Sequence, residues 1–139
     1  MLDEPTRARV RERLQALTAP VRLIHFTQEL DCETCTDARL LLQDVASLSD
    51  RVQLEVHNLQ LERARAAELG IDRVPATIVA NGRGTRIRFL GVPAGYEFAA
   101  LLEAMLDVSR GQSHLQPETI ARLQQIQQPV HLQVYVTPT

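Results

Sequence analysis

The sequence lacks a long hydrophobic run, and none of its apolar stretches approaches the roughly 20 residues that a membrane-spanning helix needs. Residues 1–13 are charged throughout and contain no apolar core of a secretory signal. Basic charge is not in excess either, since the net charge is −2 and the pI is about 6.1. We therefore expect a cytoplasmic protein whose partners are neither a membrane nor a nucleic acid.

Lysine is absent, and all 15 basic residues are arginine. Several of these arginines spread around the polar surface of the first predicted helix, which is typical of a solvated face. Hydrophobic residues, by contrast, are plentiful and make up 45% of the 139 residues. That is enough for one domain with a real core, but the chain is short for two.

Cysteine is scarce, and the only two cysteines, Cys32 and Cys35, form a C-x-x-C pair. An apolar run at residues 21–26 precedes the pair, and a helical apolar pattern at residues 38–48 follows it. This arrangement is typical of thiol-disulfide exchange proteins, because the unpaired N–H groups at the start of a helix stabilise a thiolate. We expect Cys32, at the exposed leading edge, to be the nucleophile and Cys35, one turn into the helix, to be the resolving thiol.

Acidic residues flank the expected nucleophile, with Asp31 before Cys32 and Glu33 after it. Negative charge beside a thiolate opposes the effect of the helix dipole. We therefore expect Cys32 to be less ionised than the nucleophile of C-x-x-C pairs that place histidine or proline between the cysteines.

A metal site is the alternative chemistry for the cysteine pair. Zinc usually takes four ligands, and the chain offers two cysteines and four histidines. His25 lies in the strand that leads to Cys32, where it could accept a proton from Cys35 or be satisfied within the sheet. The other histidines share no ligand spacing and are expected at the surface: His57, His114 and His131. The residues alone leave open a zinc or iron–sulfur site shared between two chains.

The rest of the chain alternates helices and strands. Asp3 is the predicted N-cap of the first helix, and residues 52–56 alternate apolar and polar side chains, which predicts a strand away from the centre of its sheet. Gly70 closes a short helix, and residues 77–80 and 85–90 form a predicted hairpin before a well-patterned helix. The order αβαβαββα belongs to the α/β class and describes a mixed sheet with helices on both faces, in a thioredoxin-like pattern.

Residues 110–139 do not fit the unit formed by residues 1–109. Pro117 starts a weakly apolar, glutamine-rich helix, and residues 130–136 alternate as a strand. The apolar positions of that strand fall on one face: Val130, Leu132, Val134 and Val136. Because no helix follows to cover it, we expect the strand to pair with this sheet or with that of a neighbour, as in a homodimer.

Four stretches carry a resemblance to a known family: residues 21–26 leading to the C-x-x-C, residues 71–77, residues 89–100 and residues 134–139. Across them the whole chain resembles the N-terminal half of the glutaredoxin-like protein disulfide oxidoreductases, thioredoxin-superfamily proteins built from two thioredoxin folds in tandem. In that family the last stretch is the first strand of the second unit, and a C-P-Y-C follows it. The resemblance implies a thioredoxin-like domain at residues 1–109 and, at residues 110–139, the start of a second unit that is absent from this sequence.

The same resemblance implies roles for four residues. Cys32 and Cys35 match the first redox pair, and Pro75 matches the cis-proline that faces the disulfide in thioredoxin-like folds. Val74 would then offer its backbone N–H and C=O groups to an extended substrate segment. The implied function is a thiol-disulfide oxidoreductase that acts on protein disulfides without a bound cofactor and is re-reduced by a thioredoxin-reductase-type flavoprotein.

A docking or electron-relay module is the second interpretation. The chain is also similar to the tandem thioredoxin-fold region of the large flavoprotein component of alkyl hydroperoxide reductase, in which one of the two units keeps mainly a structural role. Units that are purely structural tend to lose their cysteines, whereas this chain keeps both.

Overall fold

The computed structural model describes residues 2–84 and 86–136. Its helices and strands follow in this order: α1 (Glu4–Leu14), β1 (Val21–Thr27), α2 (Cys35–Ala46), β2 (Val52–Asn58), α3 (Arg63–Leu69), β3 (Ala76–Ala80), β4 (Arg86–Leu90), α4 (Tyr96–Arg110) and α5 (Pro117–Leu123). The predicted order αβαβαββα followed by a helix is confirmed. Thr85, the predicted start of the second hairpin strand, lies outside the described residues. No helix in the described ranges is long and apolar enough to cross a membrane.

The four strands form one mixed sheet in the order β2-β1-β3-β4. β1 pairs in parallel with β2 and antiparallel with β3, and β3 pairs antiparallel with β4. β1 and β3 are therefore the central strands, and their nearly continuous apolar sequences reflect cover on both faces. β2 lies at an edge of the sheet, as its alternating sequence predicts.

Two apolar clusters cover the two faces of the sheet. On one face, α1, α2 and α4 pack against Val21 and Leu23 of β1. On the other face, α3 packs against Ile24 and Phe26. Because successive residues of a strand point to opposite faces, the odd-numbered residues of β1 all face α1, α2 and α4.

Two sets of hydrogen bonds order the start of the chain, one within α1 and one between the connection after α1 and the end of α4. The Asp3 side chain accepts a hydrogen bond from the Thr6 N–H at 3.0 Å, which confirms the predicted N-cap. After α1, the Ser109 hydroxyl of α4 accepts hydrogen bonds from the N–H groups of Thr18 at 2.8 Å and Ala19 at 2.9 Å, and donates to the Ala19 carbonyl at 3.0 Å. Ser109 is buried, so this one hydroxyl joins the connection between α1 and β1 to the end of α4.

The predicted strand at residues 130–136 does not form. Within the described residues this segment pairs with no other strand, and all of its side chains are exposed. The apolar ones are exposed over most of their surface: Val130 62%, Leu132 84%, Val134 84% and Val136 80%. An alternating sequence gives a segment strand propensity, but a strand forms only where its backbone groups meet a partner edge. Residues 137–139, the end of the family-like stretch, lie outside the described residues.

Candidate active site

Cys32 and Cys35 form a disulfide, with their Cα atoms 5.5 Å apart. Cys35 is the first residue of α2 and is 1% exposed, whereas Cys32 lies ahead of the helix and is partly exposed. The expectation that Cys35 lies one turn into the helix is wrong, because the residues between the cysteines form a turn and Thr34 is the N-cap. A reagent in solution therefore meets Cys32 before Cys35.

The loop between β1 and α2 sets the position of Cys32 through its backbone. Asp31 has a φ of +56°, in the left-handed region that aspartate tolerates better than branched residues. The Gln28 Nε2 donates to the Asp31 carbonyl at 3.3 Å, which closes the loop on itself. Leu30, two positions before Cys32, is 68% exposed and gives the loop an apolar surface.

The chain around the disulfide is acidic. Its exposed carboxylates are Glu29, Asp31, Glu33 and Asp37. The basic residue of this stretch is Arg39, whose Nη1 lies 3.9 Å from Glu29 Oε1. Because nearby negative charge disfavours a second negative charge, these carboxylates oppose the stabilisation that the start of α2 offers a Cys32 thiolate.

His25 lies in the middle of β1 and is fully buried. Its Nδ1 atom is 3.1 Å from the hydroxyl of Thr77, the residue paired with it on β3. Burial and, to a smaller extent, the positive charge of Arg39 lower the pKa of His25 to about 4, so the ring is neutral at pH 7. One ring nitrogen is therefore satisfied within the sheet, while Nε2 has no hydrogen-bond partner among the described residues.

The Val74–Pro75 peptide bond is cis and directly precedes β3. Pro75 is buried, and Val74 is half-buried. Because β3 runs antiparallel to β1 and Ala76 pairs with Phe26, this bond lies at the end of the sheet where the chain leaves β1 toward Cys32. The topology therefore brings the cis-peptide and the disulfide to the same end of the sheet.

His57 is a residue whose environment the sequence analysis predicted wrongly. Its side chain is only 19% exposed, and its ring stacks on Phe26 with the ring centroids 5.1 Å apart. Its Nδ1 lies 2.7 Å from Glu62 Oε1, and its Nε2 lies 3.7 Å from Glu55 Oε2, which also binds Arg22. The sequence carried no signal of this burial, because the alternation of β2 places His57 on the same face as the polar residues Gln53 and Glu55.

Metal ligands are not grouped in the described part of the chain. Among residues 2–84 and 86–136, no three histidine, cysteine, aspartate or glutamate side chains lie close enough to hold a metal ion. Both thiols are joined in the disulfide. A metal site shared between two chains remains a hypothesis from the sequence.

Comparisons with known proteins place this arrangement among redox proteins. No family model matches the chain. It is similar to a protein disulfide oxidoreductase of Aeropyrum pernix, with a TM-score of 0.78 and 28% identity over 90% of this chain and 56% of that one. It is also similar to the alkylhydroperoxide reductase AhpF of Enterococcus faecalis, with a TM-score of 0.73 and 25% identity over 84% of this chain and 57% of that one. An NADH dehydrogenase of Bacillus subtilis is 26% identical over 139 residues, which are 100% of this chain and 25% of that protein.

The chain spans about a quarter of the length of the curated relatives that it matches. The similarity to the disulfide oxidoreductase covers nearly all of this chain and includes the mixed sheet with its flanking helices. In this chain the Cys32–Cys35 disulfide lies at the start of α2. The chain is therefore a thioredoxin-like unit that is similar in sequence and fold to a thiol-disulfide oxidoreductase.

Proposed function

We propose that this unit exchanges disulfides with protein substrates. The observation that carries the proposal is the disulfide between a partly exposed Cys32 and a buried Cys35 at the first position of α2. The exposed Cys32 sulfur can attack a substrate that the buried Cys35 sulfur cannot reach. The inner sulfur is then held where it can displace the substrate, because the two residues are only 5.5 Å apart at Cα.

The exchange runs in two displacements. In the reduced form, the Cys32 thiolate attacks one sulfur of the substrate disulfide, so a mixed disulfide forms and one substrate sulfur leaves as a thiolate that takes a proton from water. The Cys35 thiol then loses its proton and attacks the Cys32 sulfur, which releases the second substrate sulfur. Two electrons have passed to the substrate, which is now a dithiol, and the Cys32–Cys35 disulfide remains.

His25 is the proposed proton acceptor for Cys35. Its ring lies on the sheet face that α2 covers, and Cys35 is buried at the start of that helix. When Nδ1 donates to the Thr77 hydroxyl, Nε2 carries the free lone pair. Because burial makes a charged imidazole costly, the proton moves as Cys35 attacks and passes on to the departing substrate thiolate, rather than resting on the ring.

Val74 and Pro75 are the proposed substrate-binding residues. The cis-peptide lies at the same end of the sheet as the loop that carries Cys32. Val74 precedes β3, so its backbone N–H and C=O are outside the β3 ladder and are offered to an extended substrate segment, which would bind as a short added strand.

The proposed electron donor is a thioredoxin-reductase-type flavoprotein, and the electrons rest on the sulfurs, so the unit itself needs no bound cofactor. The similarity to the alkylhydroperoxide reductase AhpF and to an NADH dehydrogenase supports a redox partner of this kind. We place the exchange in the cytoplasm, where C-x-x-C pairs cycle between dithiol and disulfide rather than serving as permanent cross-links.

The experiment that tests the proposal separates the two cysteines. The reduced chain is mixed with a fluorescent disulfide-bonded peptide, and the products are separated on a non-reducing gel. The Cys35→Ser variant should trap a covalent adduct with the peptide, whereas Cys32→Ser should form none. A redox titration of the unmodified chain should give a two-electron midpoint within the range of about −270 to −120 mV covered by exchange proteins. If both variants behave alike, or if no reversible transition occurs in that range, the proposal is wrong.

A docking or electron-relay module of a larger redox protein is the second candidate function. It is favoured by the small share of the curated relatives that the chain spans and by the exposed segment at residues 130–136, whose apolar and polar residues alternate. In this proposal residues 1–109 form the domain, and residues 110–139 connect it to a second thioredoxin-like unit or pair with another copy as a homodimer.

Sedimentation of the chain at increasing concentration tests the homodimer. Dimers should appear, and Val134→Lys should abolish them because it places a charge on the apolar face of the segment. A monomer at all concentrations would contradict edge pairing between copies. If the Cys32→Ser variant, in full-length protein, still transferred electrons at the normal rate, the unit would be a docking module and not the exchanging pair.

A further inference from the structure

A groove lies on the α3 face of the sheet, at the end remote from the disulfide. Its floor is apolar and is formed by Ile24, Ile78 and Leu69. α3 has seven residues and covers only part of this face, so the floor is left open beside it. We call this feature the arginine groove, after the three side chains that form its rim: Arg22, Arg65 and Arg86.

The rim carries uncompensated positive charge. Arg22 is matched by Glu55, with hydrogen bonds of 2.6 Å and 3.0 Å, and Arg65 is matched by Glu68 at 3.1 Å. Arg86 is exposed and makes no ion pair among the described residues. Its charge is therefore available to a ligand.

Arg88 adds a second charge that no carboxylate balances among the described residues. It lies two residues after Arg86 on β4, so both side chains share one face of the strand. Its guanidinium donates to the carbonyls of Leu69 at 2.6 Å and Gly70 at 3.1 Å, at the C-terminal end of α3. These carbonyls hold the guanidinium beside the groove without cancelling its charge.

The size of the arginine groove limits its occupant. Its volume is about 300 Å³, at the lower end of the roughly 300–1,000 Å³ range of small-molecule sites. A dinucleotide or flavin would not be enclosed by it, whereas one or two apolar side chains of a peptide would.

We propose that the arginine groove binds an extended acidic peptide segment of a partner protein. An apolar side chain of the segment rests on Ile24 and Ile78, and carboxylates on either side of it bind Arg86 and Arg65. This surface is separate from the disulfide, so a partner bound there leaves Cys32 accessible.

The probe for this proposal is a fluorescein-labelled peptide in which three glutamates alternate with two leucines between glycine and serine flanks. Fluorescence anisotropy with the full chain should show saturable binding that weakens with salt. Arg86→Ala should weaken binding about tenfold, the value of one charge-assisted hydrogen bond. Glu68→Gln should tighten binding about threefold, because it removes a competing carboxylate and frees Arg65. This gain cannot arise from misfolding.

Matched controls give the results that would overturn the proposal. Arg122→Ala, on the exposed helix α5, should leave binding unchanged, and a peptide with glutamine in place of glutamate should not bind. Equal binding of the glutamine peptide, equal loss in Arg122→Ala or no saturation at millimolar peptide would each refute it. Arg86-dependent binding of pyrophosphate without peptide binding would assign the groove to a phosphate ligand instead. Self-association that Arg86→Ala abolishes would assign it to a second copy.

Discussion

His25 makes the stability of the chain depend on pH. Its pKa is about 4 in the folded chain and 6.5 when exposed, so between these values the unfolded chain binds a proton that the folded chain excludes. The free energy of unfolding therefore falls as the pH falls from 6.5 to 4, by about 3 kcal/mol in total. We expect His25→Leu to lose this dependence in urea unfolding at a series of pH values, and the exposed His131→Gln to retain it.

Three carboxylates also make the free energy of unfolding depend on pH, over a lower pH range than His25. The pKa values of Asp44, Glu55 and Glu62 are lowered by hydrogen bonds to their charged forms, from Leu2, Arg22 and His57 respectively. Their contribution to stability is present above the ordinary carboxyl pKa and is lost as the pH falls below it. A wild-type stability that stays flat from pH 6.5 to 4.5 would contradict the assignment to His25.

Gly70 is required by the backbone at the end of α3. Its φ is +66°, and a Cβ atom there would lie 3.2 Å from the Arg88 guanidinium nitrogens. Gly70→Ala should therefore lower the free energy of unfolding by about 1–2 kcal/mol, as measured by urea denaturation. Gly82→Ala is the control, since Gly82 has no positive φ and a Cβ there would meet nothing within 4 Å. Equal losses in the two variants would show that backbone conformation does not decide the effect.

At the scale of elements, Ser109 links the first helix to the last helix of the core. Its buried hydroxyl is hydrogen-bonded to the backbone of Thr18 and Ala19. Ser109→Ala leaves two N–H groups and one carbonyl without their partner, so we expect a loss of about 2–3 kcal/mol. Thermal unfolding followed by circular dichroism measures it, and the exposed Ser113→Ala should change the melting temperature little. A loss below that of Ser113→Ala would mean that water replaces the hydroxyl.

The elements of the domain were predictable because local chemistry and tertiary context agree. The Asp3 cap, the glycine after α3 and the alternation of β2 each specify a boundary or a face within a few residues. The structure of residues 130–136 was not predictable, because alternation gives only a strand propensity. Whether a strand forms depends on a partner edge, and the alternation does not show whether one is present. The surroundings of His57 depend on the register of β2 against β1, which pairs His57 with Phe26, and spacing alone does not contain that register.

The disulfide of the candidate site could be predicted from the sequence, whereas the conformation of the loop around it could not. Two cysteines at C-x-x-C spacing after a strand indicate the disulfide directly. The start of α2 at Cys35 and the positive φ of Asp31 depend on how the loop closes, and no residue pattern states this. The Thr77 contact of His25 depends on the register of β3 against β1, which only the folded sheet fixes.

At the scale of the molecule, the last part of the described chain contributes little to the core. α5 buries no residue, and residues 130–136 are exposed. A chain cut after His114, which keeps the His114 contact to Asp107 at 2.8 Å, should unfold in urea within about 0.5 kcal/mol of the longer chain. A loss several times larger would show that residues 115–136 pack on the domain in solution.

The position of β1 and β3 between two other strands has a consequence for the reduced protein. Each of these strands is hydrogen-bonded to a neighbouring strand on both sides and is covered on both faces, so we expect its amides to exchange with deuterium only in global unfolding. The disulfide is outside this protected centre, in the loop and first turn beside it. Opening the disulfide should therefore raise deuterium uptake, measured by mass spectrometry, in residues 28–38 and leave the uptake of the central strands unchanged. A partner protein would then meet one of two states of the loop at residues 28–38, oxidised or reduced, on a sheet that does not change.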